Sequence, residues 1–193
     1  MPLEQGFAAL RLELSVKAKN GLDFIVAASL VWAAIAVVWL LPGTATHKSF
    51  ITFFVGALTL PLAWGLSKVF GTTWTLPHNP LQPLGLWLNF AQLFYFPFLI
   101  FIFSAHPAYF IMTYGIITGA HFFPYAWFYN APAYAAMAGV ISVGSLVIGL
   151  RTAVAAPYWV PLFIVGTLLV LAGLLFASYR QHARLHAAAQ SAR

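Results

Sequence analysis

Long apolar segments separated by short polar breaks make up most of the chain. A helix needs about 20 mainly apolar residues to cross the hydrocarbon core of a bilayer. Six segments meet this requirement: Leu22–Leu41, Phe50–Val69, Pro83–Phe103, Pro107–Phe128, Ala133–Leu150 and Pro157–Ala177. The breaks between them are rich in Gly, Pro, Thr and Asn, which favour turns. The pattern predicts an all-α fold, a polytopic membrane bundle of six transmembrane helices within residues 20–178.

The two ends of the chain are more polar than this bundle. Four apolar residues in the segment 1–19 recur on one helical face: Leu3, Phe7, Leu10 and Leu14. This spacing predicts a short amphipathic helix on the cytoplasmic membrane surface, although a frayed polar segment would have a similar composition. Residues 179–193 follow the last span and are predicted to form a basic cytoplasmic tail.

The composition excludes an ordinary soluble domain. Only 6% of the 193 residues are charged and 62% are hydrophobic, whereas a soluble domain is about a quarter charged. The chain has no cysteine, so disulfides and thiolate-held metal sites are excluded. The net charge of +6 would suggest nucleic acid in a soluble protein, but here the basic residues flank apolar segments. That position favours the lipid bilayer as partner over nucleic acid.

Basic residues also predict the orientation of the bundle. With an even number of spans, seven of the nine lie at one end: Arg11, Lys17, Lys19, Lys68, Arg180, Arg184 and Arg193. Only Lys48 and Arg151 lie at the other end. Because cytoplasmic loops of membrane proteins are enriched in Lys and Arg, both termini are predicted to be cytoplasmic.

Polar side chains of the third and fourth spans fall at a similar depth. One stripe on the fourth span has spacings of 4, 3 and 4 residues: Tyr114, Thr118, His121 and Tyr125. Asn89 and Gln92 share a face of the third span. An unpaired amide or imidazole is costly in hydrocarbon, so such groups turn inward. We expect the two stripes to face each other and to form a ligand-binding site, although amides and hydroxyls in membrane helices often only bridge neighbours.

Two prolines accompany these stripes. Pro97 and Pro124 lack the N–H that would bond to the carbonyls of Leu93 and Ala120. Each carbonyl lies beside a polar residue, and loosened backbone at membrane depth is tolerated where protein or a wet cavity satisfies it. The prolines therefore favour a site at this level, unless they serve only as kinks.

Other polar or small residues support narrower interpretations. Asp23, at the mouth of the first span, either offsets the positive end of that helix or serves as an acid partner for His121. Two pairs of small residues indicate close helix packing: Gly115 with Gly119, and Gly173 with Ala177. His182 and His186 are spaced like metal ligands but fall on a terminal helix predicted to be solvated. No span carries the ligands of a metal or haem centre, so no metal and no cofactor are predicted.

Three stretches carry a family resemblance: "KNGLDF", "NPLQPLGLWLNFAQLFYFPF" and "GIITGAHFFPYAWFYNAPAY". Together they resemble a family of small, uncharacterised bacterial multi-pass membrane proteins, a domain of unknown function. The resemblance extends from about Lys17 to the last span and is most specific around the polar residues and prolines of the two stripes. It implies a bacterial inner-membrane protein and no particular activity.

Three functions are compatible with these patterns. The first is binding or transport of a small neutral or amphipathic molecule, for which kinked helices around a polar layer are typical; six spans are few for a monomeric carrier, which leaves a homo-oligomer open. The second is an enzyme that acts on a lipid-like substrate with His121 as general base. The third is a structural or assembly protein without a ligand. The sequence favours the first.

Overall fold

The computed structural model describes residues 3–152 and 155–191, which contain helices and no strands. Two short 3₁₀ turns, Lys19–Gly21 and Pro107–Tyr109, accompany the α-helices. In chain order the α-helices are α1 Leu3–Lys17, α2 Leu22–Leu40, α3 Ala45–Ala57, α4 Thr59–Phe70, α5 Gln82–Leu93, α6 Phe96–Ala105, α7 Phe110–Phe122, α8 Tyr125–Phe128, α9 Ala133–Thr152 and α10 Trp159–Ser191. The predicted all-α class is confirmed.

Five helical segments in the described part of the chain are long and apolar enough to cross a membrane: Lys19–Leu40, Ala45–Phe70, Gln82–Ala105, Ala133–Thr152 and Trp159–Ala189. These helices indicate a multi-pass membrane protein. The other predicted span, Pro107–Phe128, is divided into a 3₁₀ turn, α7 with 13 residues and α8 with four. The prediction of six transmembrane helices is therefore not confirmed, because five segments of sufficient length and hydropathy are found in the described residues.

Helix breaks coincide with three prolines inside the apolar segments. Pro61 lies in the first turn of α4, Pro97 in the first turn of α6, and Pro124 immediately before α8. A proline cannot donate a backbone hydrogen bond to the preceding turn but fits the start of a new helix, where that N–H would be unpaired. Each proline thus divides an apolar stretch into two helices.

The core of the bundle lies where α2, α7, α9 and α10 pack together. It is built mainly from aliphatic side chains with almost no solvent exposure: Ile35, Ile111, Ile141, Ile164, Leu168 and Leu171. By contrast, α5 has no buried residue and α6 only Leu99. The α5–α6 pair therefore lies at the edge of the bundle and exposes most of its surface.

Glycines allow α7 and α9 to approach closely. A Cβ added at Gly115 would lie 2.6 Å from the Ser145 hydroxyl oxygen, and one added at Gly119 would lie 2.7 Å from the Ser142 backbone nitrogen. The predicted close packing at this pair is confirmed. The same prediction for Gly173 is wrong, because nothing lies within 4 Å of a Cβ added there.

The N-terminal segment forms helix α1, which is attached to the bundle by polar contacts. Arg11 donates from Nε to the Trp127 carbonyl at 2.5 Å and from Nη2 to the Asn130 Oδ1 at 2.9 Å. Leu14 is buried, whereas Phe7 is 44% exposed. The helix is therefore held by α8 and α10 on one side, and its predicted position on the membrane surface stays a prediction.

The loop between α4 and α5 is folded back over α1 and α2. The backbone N–H of Thr73 donates to the Lys17 carbonyl at 2.9 Å. Asn79 is buried and donates to the Leu10 carbonyl at 3.0 Å and to the Glu13 carboxylate at 2.9 Å. This loop thus closes the end of the bundle at which α2 begins.

Candidate functional site

His121 lies in the last turn of α7, where the helix breaks. Its ring is half-buried and its Nε2 lies 3.5 Å from the Tyr125 hydroxyl oxygen, the upper limit of a hydrogen bond. The two rings meet edge to face with centroids 5.3 Å apart. No other hydrogen bond to this ring occurs within residues 3–152 and 155–191. The imidazole therefore retains most of its hydrogen-bonding capacity.

The helix break does not leave the Ala120 carbonyl free, as Pro124 led us to expect. The backbone N–H of Phe123 donates to it at 3.2 Å. The last turn of α7 tightens to an i to i+3 bond, which helix ends commonly use to satisfy orphan carbonyls. The proline therefore does not leave that carbonyl without a hydrogen-bond partner.

Thr118 and Tyr114 continue the stripe deeper along α7 but are engaged elsewhere. Thr118 is buried and its hydroxyl donates to the Tyr114 carbonyl at 2.9 Å. The Tyr114 ring packs against Trp32 of α2 with centroids 5.1 Å apart, and its hydroxyl would meet any Cβ added at Gly56. The structure therefore brings His121 and Tyr125 together, whereas Tyr114 faces α2 and α3.

Asn89 and Gln92 lie on the side of α5 that approaches α8. A Cβ added at Gly85 would lie 2.9 Å from the Phe128 ring, and residues four and seven positions later share this face. Asn89 is exposed and donates to the Gly85 carbonyl at 2.9 Å. Gln92 is half-buried. No hydrogen bond among the described residues joins either amide to His121, so the expectation that the two stripes face each other stays a prediction.

A cluster of three tyrosines leads from His121 towards the start of α2. Ring centroids lie 6.0 Å apart for Tyr125 and Tyr129, 6.1 Å for Tyr129 and Tyr134, and 5.7 Å for Tyr125 and Tyr134. Burial is the main cause that raises the pKa of Tyr129, which lies outside the spans, and electrostatic interaction with Tyr125 and Asp23 raises it further. Its phenol therefore stays protonated and can act as a hydrogen-bond donor.

The tyrosine cluster ends against Gly21. This glycine has a φ of +71°, and a Cβ there would lie 3.2 Å from the Tyr134 hydroxyl oxygen and 3.3 Å from the Tyr129 ring. Both the left-handed conformation and the close approach of the two rings require glycine. The Tyr134 hydroxyl donates to the Asn20 carbonyl at 2.7 Å. The "KNG" turn is therefore held by a hydrogen bond at Asn20 and by ring packing at Gly21.

Asp23 is a buried carboxylate with neutral partners. It is 1% exposed. Its Oδ2 accepts from the Thr72 hydroxyl at 2.6 Å and from the Trp74 indole N–H at 2.7 Å, and its Oδ1 accepts from the Phe24 N–H at 3.0 Å. Its position in the first turn of α2 agrees with the helix-end interpretation. Asp23 makes no hydrogen bond to His121, so the acid-partner interpretation is not supported.

A second polar network joins α1, the "KNG" turn and α10. The Ser15 hydroxyl donates to Asn20 Oδ1 at 2.6 Å, and Asn20 Nδ2 donates to the Leu175 carbonyl at 3.1 Å. His182 Nδ1 lies 2.5 Å from the Ser15 oxygen. Because the single hydroxyl proton goes to Asn20, the histidine must donate through Nδ1. His182 is 8% exposed, so the prediction that it is solvated is wrong.

Sequence reasoning missed these two networks because their members are far apart along the chain. The signal that could have found them is the Asn-Gly pair directly before an apolar run that begins with an acid. Asn tolerates left-handed backbone, and Asn20 has a φ of +56°. In this turn, the side chain and carbonyl of Asn20 contact three different helices, through Ser15, Leu175 and Tyr134.

Neither cleft described in the structure includes a predicted ligand-binding residue. One lies along α10 beside Arg180 and Arg184, and the other lies at the opposite end beside Lys48. Within residues 3–152 and 155–191, no three His, Asp or Glu side chains are grouped so as to hold a metal ion. Neither cleft reaches His121, whose half-buried ring lies where α7 ends.

Comparison with known proteins places the chain by family. No curated protein and no solved structure matches it. The model of a family of unknown function, DUF7010, matches residues 7–178, which include both polar stripes, the tyrosine cluster and the "KNG" turn. The resemblance to a family without an assigned activity is thereby confirmed. The chain belongs to this family of unknown function.

Proposed function

We propose that this multi-pass membrane protein binds, and carries across the bilayer, a small neutral or amphipathic molecule. The binding surface is the groove between α5 and α7–α8, defined by Asn89, Gln92, His121 and Tyr125 and called here the α5–α7 groove. The observation that carries the proposal is the half-buried His121 ring with one long contact to Tyr125. A neutral imidazole has one donor and one acceptor, so the ring has a nitrogen to offer a ligand.

The chemistry of the groove favours an uncharged ligand. Residues 82–128 contain no Asp, Glu, Lys or Arg. The groove therefore offers amides, a phenol and an imidazole, which recognise hydroxyl, carbonyl or amide groups. Trp87 and Phe90 are exposed on the same helix as Asn89 and supply apolar contacts. A molecule with a neutral polar head and an apolar body, which enters sideways from the lipid, fits both features.

Thr118 and Tyr114 support the groove from within the bundle. The Thr118 hydroxyl donates a hydrogen bond within its own helix, and the Tyr114 ring packs against Trp32 of α2. Their contribution is to hold α7 in place beneath His121. Broken helices of the kind seen at Pro97 and Pro124 are common at transporter binding sites, which supports transport over simple binding.

The proposed topology has six crossings, with α7–α8 as a broken fourth span and both termini in the cytoplasm of a bacterium. Since the chain has no cysteine, single cysteines at His47 and at Arg184, both exposed, report their sides separately. A membrane-impermeant maleimide is expected to label position 47 in intact cells and position 184 only after permeabilisation. Labelling of both positions from one side would mean five crossings, and labelling of position 47 from the cytoplasm would reverse the orientation.

The groove is tested with His121→Leu and His121→Gln in protein reconstituted with a diazirine-labelled monoacylglycerol, a neutral amphiphile. Loss of one hydrogen bond is expected to lower photolabelling of α7 by about tenfold in the Leu variant. The Gln variant is expected to fold and to keep only part of the labelling, because its amide reproduces the hydrogen bonds of the imidazole ring imperfectly. Thr167→Val is the matched control, since that hydroxyl bonds only to carbonyls of its own helix. If both His121 variants are labelled as strongly as the wild type, His121 contributes to packing and does not bind the ligand.

A further inference from the structure

The end of the bundle opposite the "KNG" turn contains a cleft of about 350 Å³. Elements from four parts of the chain meet there: the end of α2, the start of α3, the Pro107–Tyr109 turn and the segment before α10. Its lining residues include Tyr158 and one charged residue, Lys48. Trp39 also lines the cleft, but this residue is only 2% exposed. The cleft thus combines a single positive charge with a neighbouring tyrosine.

The Lys48 ammonium is only partly satisfied by the protein. It is half-buried, donates to the Trp39 carbonyl at 3.1 Å and lies 6.0 Å from the centroid of the Trp39 ring. An ammonium has three N–H donors. The carbonyl belongs to the last turn of α2, so one role of Lys48 is to cap that helix. Among the described residues, the other two donors have no hydrogen-bond acceptor.

No acid within residues 3–152 and 155–191 forms an ion pair with this ammonium. The sequence has three acidic residues, all within the first 23 positions. Asp23 starts α2, whereas Lys48 contacts α2 at Trp39, sixteen residues or about 24 Å further along. The positive end of the α3 dipole adds to the potential at the cleft. A counter-charge for Lys48 would therefore come from outside the described part of the chain.

We propose that the Lys48 cleft binds an anionic phosphate group at the membrane surface. This site is distinct from the α5–α7 groove and does not depend on it. A phosphate oxygen would accept the remaining Lys48 donors, while Tyr158 would contact the attached alcohol or acyl part. Both a lipid headgroup and free inorganic phosphate supply this chemistry.

The test uses the full chain purified in neutral detergent, with native mass spectrometry to count retained phosphatidylglycerol against phosphatidylcholine. Lys48→Gln keeps a donor for the Trp39 carbonyl but removes the charge, and is expected to weaken the tightest phosphatidylglycerol site by about tenfold. Lys48→Arg should retain it. Arg151→Gln, which removes the other positive charge at this end but does not line the cleft, is the matched control.

Inorganic phosphate is titrated in a parallel arm, read as a shift in thermal unfolding. A shift that Lys48→Gln abolishes, without selective lipid retention, would assign the cleft to a free anion. Equal retention of phosphatidylglycerol by wild type, Lys48→Gln and Arg151→Gln, with no phosphate shift, would overturn the proposal and leave Lys48 as a helix cap.

Discussion

Replacement of Asp23 by Leu is expected to lower the free energy of unfolding by about 3 kcal/mol. The carboxylate is buried and its Oδ2 accepts from both Thr72 and Trp74, which belong to the loop folded over α1 and α2. Leu would leave these donors without an acceptor in a place that water scarcely reaches. The measurement is equilibrium unfolding in mixed micelles, followed by circular dichroism.

Asp23→Asn provides the graded comparison. Its amide oxygen can still accept from Thr72 and Trp74, but its NH₂ group then faces the Phe24 N–H, which is itself a donor. We therefore expect a loss between that of the Leu variant and zero. A Leu variant as stable as the wild type would show that the loop is held by its backbone contacts and by Asn79 instead.

Gly119→Ala is expected to destabilise the bundle by about 1–3 kcal/mol, although alanine is the better helix former. The added Cβ would lie 2.7 Å from the Ser142 nitrogen and 3.0 Å from the Ala138 carbonyl oxygen, both backbone atoms that cannot rotate away. Helices α7 and α9 would have to separate. The same unfolding measurement reports the loss.

Gly139→Ala is the matched control on α9. Nothing lies within 4 Å of a Cβ added at Gly139, so only the helix preference changes and stability should rise by about 0.5–1 kcal/mol. The two substitutions are chemically identical and are expected to have opposite signs. Equal effects would mean that the α7–α9 approach does not limit stability.

Apolar length and proline positions were sufficient to predict most of the fold. The predicted spans Leu22–Leu41 and Ala133–Leu150 match α2 and α9 within two residues, because runs of apolar side chains and turn residues are local signals. The last span was predicted to end at Ala177, whereas α10 continues to Ser191 beyond the apolar run. Each of the three spans that a proline divides was predicted as one helix, because its apolar run is continuous in sequence. Only the structure shows that new helices begin near Pro61, Pro97 and Pro124.

The candidate site was harder to predict for a physical reason. The spacing of His121 and Tyr125 placed them on one face, and the structure brings them into contact. The partners of Asp23, however, are 49 and 51 residues away, and no periodicity links them. Helical spacing identifies the neighbours within one element, whereas contacts between a loop and a helix end depend on how the whole bundle closes.

The network between α1 and α10 affects the order in which the parts of the bundle can reach their native contacts. Ser15 and Asn20 leave the ribosome early, but their partners His182 and Leu175 follow 167 and 155 residues later. Until α10 is inserted, the amide of Asn20 and the hydroxyl of Ser15 have no native acceptor or donor on that helix. A chain without α10 would leave the Ser15 and Asn20 groups that face it without those partners. The insertion of α10 thus completes the structure of a segment that lies more than 150 residues before it.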